Sequence, residues 1–284
     1  MNLRFLNSEN KLREYWNQKT LLFTNQTQLS ESLPRTNQLV RLLTGHFDGN
    51  VWKKPINVSI NASSPRVGEN IHQHFALDVE KAMDLFENGY TLCLSDLTPH
   101  IDTLERLKEE AVEIFGYPES IVVTGYLSPK GASGVLHFDR QHNFFIQVEG
   151  SKVWTVSNIH AVKNPFENLV YTNATESFFN EMAEKGYRIR LPRECGKREL
   201  TLTPGDVLYL PPGFYHSAQT ENQSSLHYTL TIEPVCFWKE HNQNLFDKLL
   251  SSDGYFFQDY RFLTTEERKL LSKYCIDLLK SKDF

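Results

Sequence analysis

The strongest constraint on the fold lies between residues 119 and 234, where short apolar runs alternate with turn signals. Ile121-Val122-Val123, Asn143 to Val148, Lys152 to Val156, Val207 to Leu210 and Leu226 to Ile232 read as strands. Pro129-Lys130-Gly131, Glu149-Gly150, Pro204-Gly205-Asp206 and Pro211-Pro212-Gly213 punctuate them. Short strands broken at this spacing can bury a face each by stacking as a double-sheet jelly roll or barrel.

The flanks follow other periods. In residues 1 to about 75, Ser8 is placed to cap a helix from Glu9 to Gln18. Leu21-Leu22-Phe23 reads as a brief buried strand, and Ile56, Val58 and Ile60 alternate as in another. From about 76 to 116 the pattern is helical. Thr98 and Pro99 make an N-cap and first turn, Leu104, Leu107, Ala111 and Ile114 form a stripe, and Gly116 stops it. Beyond 235 the chain returns to helix, with Thr264 and Glu267 as a capping box and Leu270, Leu271, Tyr274, Leu278 and Leu279 as an apolar face. The expected organisation is a mixed helix and strand region packing on the core (1–118), a β core (119–234) and a helical region (235–284). The fold class is mainly β with flanking helices.

Composition narrows the function by exclusion. No apolar run approaches the ~20 residues needed to span a bilayer, and the N-terminus lacks the apolar core of a secretory signal. A cytoplasmic protein without membrane contact is expected, and N-x-[ST] matches such as Asn57-Val58-Ser59 are then chance. The four cysteines form no C-x-x-C pair and read as free thiols. A net charge of −5 supplies no bulk basic field for nucleic acid. Nucleotide-loop glycine motifs and a G-x-S-x-G elbow are missing from the sequence.

Ten histidines remain to be sorted. His137 and Asp139, two apart on a strand, project from one face, with Phe138 turned to the opposite layer. His216, after Pro204-Gly-Asp-Val-Leu-Tyr-Leu-Pro-Pro-Gly-Phe-Tyr, can add a second imidazole. Two nitrogens and one oxygen on one face of a metal are the 2-His-1-carboxylate set of non-haem Fe(II) oxygenases, and zinc is the second choice. The sequence contains its own control. His46-Phe47-Asp48 repeats the tripeptide between two glycines, in a loop context, and reads as structural or surface. His72 and His74 lack a nearby carboxylate, His142 falls on the face opposite the ligands, and His160, His227 and His241 lack partners. Phe144, Phe145 and Trp154 read as core, whereas Phe214 and Tyr215 could line the entrance.

The run His137-Phe-Asp-Arg-Gln-His-Asn143-Phe-Phe-Ile-Gln-Val-Glu-Gly-Ser-Lys152-Val-Trp154 resembles the core of JmjC-type and cupin-like 2-oxoglutarate oxygenases. Ribosomal-protein histidyl hydroxylases and the asparaginyl hydroxylase that inhibits hypoxia-inducible factor are similar. Leu12-Arg-Glu-Tyr-Trp16-Asn-Gln-Lys-Thr-Leu-Leu-Phe23 looks like the family's opening element, with Thr20 in place of the usual proline. The resemblance implies a double-stranded β-helix core with N-terminal mixed and C-terminal helical extensions.

It also implies Fe(II), 2-oxoglutarate and O2 as cofactor and cosubstrates, and hydroxylation coupled to formation of succinate and CO2. Lys152, which spacing alone would leave as a solvated lysine after a turn, becomes the partner of the distal 2-oxoglutarate carboxylate. Asn143, four residues past Asp139 on an unbroken strand, matches an asparagine that holds the cosubstrate in the asparaginyl hydroxylase. Thr124, Tyr126 and Thr231 are further cosubstrate contacts. Gly134 replaces a threonine of that hydroxylase, so contacts must shift, towards Thr124 and Thr231. The implied substrate is a protein or peptide side chain. A tRNA base is the alternative that the acidic balance disfavours, and a non-catalytic or zinc/manganese cupin is the alternative of another class. The C-terminal helices could pair in a homodimer.

Overall fold

The computed structural model describes residues 14–43, 57–63, 70–73, 79–95, 97–184, 186–236 and 258–281, together with Leu3, Leu6 and Leu12. The strands, in chain order, are β1 (Leu21–Phe23), β2 (Asn57–Ser63), β3 (Asn70–Gln73), β4 (Thr91–Ser95), β5 (Ile121–Ser128), β6 (His137–Phe138) and β7 (His142–Glu149). Then come β8 (Lys152–Val156), β9 (Leu169–Val170), β10 (Arg198–Leu202), β11 (Val207–Leu210), β12 (His216–Gln219) and β13 (Ser225–Ile232). They form two antiparallel sheets. The larger is ordered β1-β11-β7-β13-β5-β4-β2-β3 and the smaller β10-β8-β12-β6-β9. This is the double-sheet jelly roll that the strand and turn pattern suggested, and the double-stranded β-helix that the resemblance implied.

Central β7 is buried along nearly its whole length, whereas β8 of the small sheet alternates and β10 at its edge is mostly exposed. Outside the large sheet, Val123, Phe144, Ile146, Tyr228 and Leu230 pack with Leu104, Leu107, Ala111 and Phe115 of the helix Asp102–Phe115. Outside the small sheet, Phe138 and Tyr215 pack with Phe179 and Met182 of the helix Thr175–Glu184. Between the sheets, Phe145, Trp154, Val156, Leu202, Leu208, Leu210 and Phe214 fill one end. A cavity of about 500 Å³ occupies the remainder.

Several expectations need correction. Thr98 and Pro99 open a separate 3-10 turn ending at His100; the helix starts at Asp102 with Ile101 as its N-cap, and Gly116 ends it at φ 65°. The 76–116 segment is not wholly helical, because Thr91–Ser95 joins the large sheet between two helices. Leu21–Phe23 is an edge strand with Leu22 exposed rather than a buried one. The Thr264–Glu267 capping box is present, with reciprocal bonds of 3.2 and 2.7 Å. Yet Leu270 and Tyr274 are exposed, and among the described side chains of this helix only Cys275 is buried. The side chains of Leu278 and Leu279, and Glu9, Asn10, Lys11 and Arg13 of the helix expected from Glu9 to Gln18, lie outside the described residues; Leu12, Glu14 and Tyr15 are helical and Trp16 to Gln18 form a turn.

A buried charged cluster ties the C-terminal region to the core. Asp259 is 3.2 Å from His142 Nε2 and 3.0 Å from Arg261, and accepts the Trp16 indole N–H at 3.2 Å. Trp16 stacks on the His142 ring at 3.8 Å. Arg261 also donates to the Phe115 and Glu233 carbonyls and to Ser120. Burial would raise the Asp259 carboxyl, but His142 and Arg261 beside it hold it below the usual range. His142 is therefore a structural histidine on the far side of the sheet from the cavity, as strand alternation implies.

Candidate active site

The cavity is built by short cross-strand relations. His137 on β6 and His216 on β12 are directly paired, so their side chains leave one face of the small sheet together. Asp139 follows β6, and its backbone carbonyl accepts the Gly213 N–H at 2.8 Å. That bond ties the turn before His216 to the chain carrying the other two residues. Gly213 has φ 76°, and a Cβ there would fall 1.9 Å from the Val162 carbonyl, which is why the turn admits only glycine.

Ligand-capable atoms of His137, Asp139 and His216 lie within 4.8 Å of one another. The two Asp139 oxygens stand 3.7 Å from His137 Nε2 and 3.5 Å from His216 Nε2. Each imidazole donates its Nδ1–H to a carbonyl, of Val135 at 2.8 Å and of Phe214 at 3.0 Å. Those bonds fix the tautomer and leave both Nε2 lone pairs facing Asp139. Burial, then the neighbouring His137, pushes the His216 pKa down to about 4, which keeps its ring neutral and able to bind a metal. This donor set fits a divalent ion with open positions.

The strand is broken between Phe138 and His142, contrary to the unbroken strand expected. Asn143 nevertheless reaches Asp139. Its Nδ2 donates to Asp139 Oδ2 at 2.7 Å, and its Oδ1 accepts the Thr231 hydroxyl at 2.8 Å. Thr231 and Asn143 are a direct cross-strand pair, so Thr231, Asn143 and Asp139 form a chain leading to the candidate metal position. Thr124 and Tyr126 line the cavity from β5, and Gly134 lines it from the segment before β6. A Cβ on Gly134 would meet only ordinary contacts, so space does not exclude a side chain there.

Lys152 enters from the small sheet. Gly150, at φ 64°, makes the turn before it, where a Cβ would lie 2.1 Å from the Ser224 carbonyl. The lysine is buried and lines the cavity. Its ammonium donates to Ser128 Oγ at 2.8 Å and to His227 Nδ1 at 3.0 Å. Among the described residues no carboxylate forms an ion pair with it, and burial pulls its pKa down to about 7. A buried ammonium held only by neutral acceptors fits an incoming anion.

The sequence reading missed His227, which has the partner denied to it and lies stacked on Tyr126. Its alternation with Thr229 and Thr231 was the available signal. Phe214 and Tyr215 do not line the entrance: both are buried, Tyr215 bonding the Arg190 carbonyl at 3.0 Å. Trp154 belongs to the core and also borders the cavity, where its indole N–H and the Thr229 hydroxyl are buried without partners. His160 packs against Phe214 away from the cavity. His46, Asp48, His74 and His241, and the side chain of His72, lie outside the described residues. All four cysteines are buried, and no helix among the described residues is long and apolar enough to cross a membrane.

Comparisons with known proteins agree with this architecture. The protein YxbC of Bacillus subtilis is 26% identical over 252 residues, covering 86% of this chain and 73% of that protein. Ribosomal oxygenase 2 of Mus musculus is 28% identical over 232 residues, covering 79% of this chain; the chain spans only 44% of that relative's length. Among solved structures, the ribosomal oxygenase YcfD of Escherichia coli, in complex with cobalt and 2-oxoglutarate, superposes with a TM-score of 0.56 at 17% identity. That match covers 96% of this chain and 67% of YcfD. The JmjC domain model matches residues 96–237, half of the chain, and includes both sides of the cavity. The chain belongs to the JmjC domain family of Fe(II)- and 2-oxoglutarate-dependent oxygenases.

Proposed function

We propose that the chain hydroxylates a side chain of a protein or peptide, with His137, Asp139 and His216 holding Fe(II) and Lys152 pairing with the distal carboxylate of 2-oxoglutarate. One observation carries the reading: a single cavity combines a convergent His, Asp and His set with a buried lysine that has no carboxylate partner among the described residues. Iron, 2-oxoglutarate and dioxygen together supply the oxidation, which inserts one oxygen atom into a C–H bond and leaves succinate and CO2.

The chain's own residues orient and shield. The Val135 and Phe214 carbonyls aim the two imidazoles, and Asn143 braces Asp139 from the side of Thr231. Thr124, Tyr126 and Thr231 give the cosubstrate a polar wall, while Phe145 and Trp154 exclude water from one end. A protein substrate is supported by the relatives' names, which include ribosomal oxygenases and a histidyl-hydroxylase of Culex quinquefasciatus that is 31% identical over 117 residues.

The test is to incubate the purified protein with Fe(II), 2-oxoglutarate and ribosomal proteins, following succinate and the peptide masses together. A peptide gaining one oxygen atom in step with succinate is expected. Oxidation confined to an RNA base, or no cosubstrate consumption with any acceptor, overturns the reading.

A further inference from the structure

One side chain of the cavity is poised on Lys152 without a part in the reaction described above. β13 runs between β5 and β7, and its register against β7 shifts between Leu226 and His227. A bulge of this kind re-aims a side chain. Here it sets His227 across from Gln147 on one side and Tyr126 on the other, with its ring in the cavity wall.

The ring is clamped. Tyr126 stacks on it at 4.8 Å with the planes 4° apart, and Phe145 and Trp154 approach edge-on at 6.0 and 5.7 Å. This fixes Nδ1 at 3.0 Å from Lys152 Nζ. An ammonium only donates, so Nδ1 accepts, and the proton of the neutral ring sits on Nε2. Ser128 Oγ takes a second Lys152 proton at 2.8 Å and is itself 2.9 Å from Thr91 Oγ1. One N–H of the ammonium is then left for the cavity.

The choice of acceptor matters electrostatically. An aspartate or glutamate in place of His227 would neutralise Lys152 and remove its pull on a second anion. A neutral imidazole satisfies the buried ammonium, which is costly to leave unbonded, without cancelling its charge. The other titratable groups on this wall are Tyr126 of β5 and Cys93 of β4, neighbours in register. The Tyr126 phenol is held neutral by burial, with Cys93 and Asp139 acting in the same sense.

We infer that His227 is a positioning residue: as a neutral acceptor it holds the Lys152 ammonium so that one N–H and the full charge face the distal carboxylate of the cosubstrate. This rests on the proposed cosubstrate role of Lys152.

The test compares full-length His227→Leu, His227→Asn and Lys152→Met with the wild type. Each is loaded with Mn(II) for 2-oxoglutarate titration by calorimetry, and with Fe(II) for KM and kcat from succinate release. His227→Leu is expected to raise Kd and KM about tenfold or more, the worth of a hydrogen bond to a charged group, and to raise KM by more than it lowers kcat. Its binding should also fade at lower pH than in the wild type, because Lys152 loses an acceptor that favours its charged form. His227→Asn, which offers an amide oxygen near the place of Nδ1, should recover most of the affinity.

Unchanged KM and pH midpoint in His227→Leu, or equal losses in the Leu and Asn variants, overturn the inference. If Lys152→Met binds 2-oxoglutarate like the wild type, the cosubstrate site itself is misassigned. If Lys152→Met loses binding and His227→Leu does not, only the role of His227 fails. Should the Leu variant not fold, nitrogen NMR of wild-type His227 still decides. The Nε2–H tautomer is expected, and an Nδ1–H or doubly protonated ring overturns the inference.

Discussion

Raising the pH from 6 to 8 is expected to weaken 2-oxoglutarate binding about tenfold, because only the charged form of Lys152 offers the distal carboxylate a counter-ion. Burial pulls the pKa of this lysine down to about 7 before the anion arrives. The apparent Kd then scales as about 1 + 10^(pH − 7), which is roughly 1.1 at pH 6, roughly 2 at pH 7 and roughly 11 at pH 8. By the same linkage, binding at pH 8 takes up about 0.9 proton per site. The assay is calorimetric titration of Mn(II)-saturated protein, repeated at pH 8 in two buffers of different ionisation enthalpy.

Lys152→Arg is the control. A guanidinium stays charged throughout this range, so its affinity should be flat with pH even where its shape weakens binding. On folding the depressed pKa acts in the opposite sense. Between about 7 and 10.5 the unfolded chain keeps a proton that the folded chain without ligand has lost, so stability rises with pH in that window. A wild-type Kd that stays flat from pH 6 to 8, with no buffer-dependent proton uptake, would refute the reasoning.

Three further outcomes can be checked. His216→Ala should lose both bound iron and succinate release, and retention of either by the folded variant removes it from the ligand set. Asn143→Ala breaks the path from Thr231 to Asp139 and should lower metal affinity or turnover about 10- to 100-fold; a metal titration with wild-type affinity and unchanged turnover would show that Asp139 needs no brace. Arg261→Ala leaves the buried Asp259 carboxylate short of a partner and should cost about 3–5 kcal/mol in urea unfolding. The same cluster sets an acid limit. Burial holds His142 neutral, so stability should begin to decline as pH falls below 6.5, and the part due to Asp259 is lost only below 3.8, as pH falls through its depressed folded value. A urea midpoint unchanged between pH 7 and 5 counts against that arrangement.

What the sequence could show depended on local patterns. Strand chemistry and turn residues marked β5, β7, β8, β11 and β13, and the capping box marked the last helix. A shorter strand escaped: β9 is two residues long and is a strand only through its pairing with β6. The His137, Asp139 and His216 set was legible, since two of its members are two residues apart and the third ends a turn-rich segment. His227 was not, because a histidine in an apolar strand looks like any other until the lysine facing it is known.

By itself, then, the sequence determined the two-sheet architecture and named the residues able to hold a metal, since both follow from period-2 alternation and residue chemistry within a few positions. Tertiary structure decided which of those groups meet. It placed Lys152 against His227 across the two sheets, joined Thr231 to Asp139 through Asn143, and turned His142 away to Asp259. Such pairings span up to 117 positions in the chain, as between His142 and Asp259. They are set by sheet register and by the cost of burying charge, and neither is written in any local stretch of sequence.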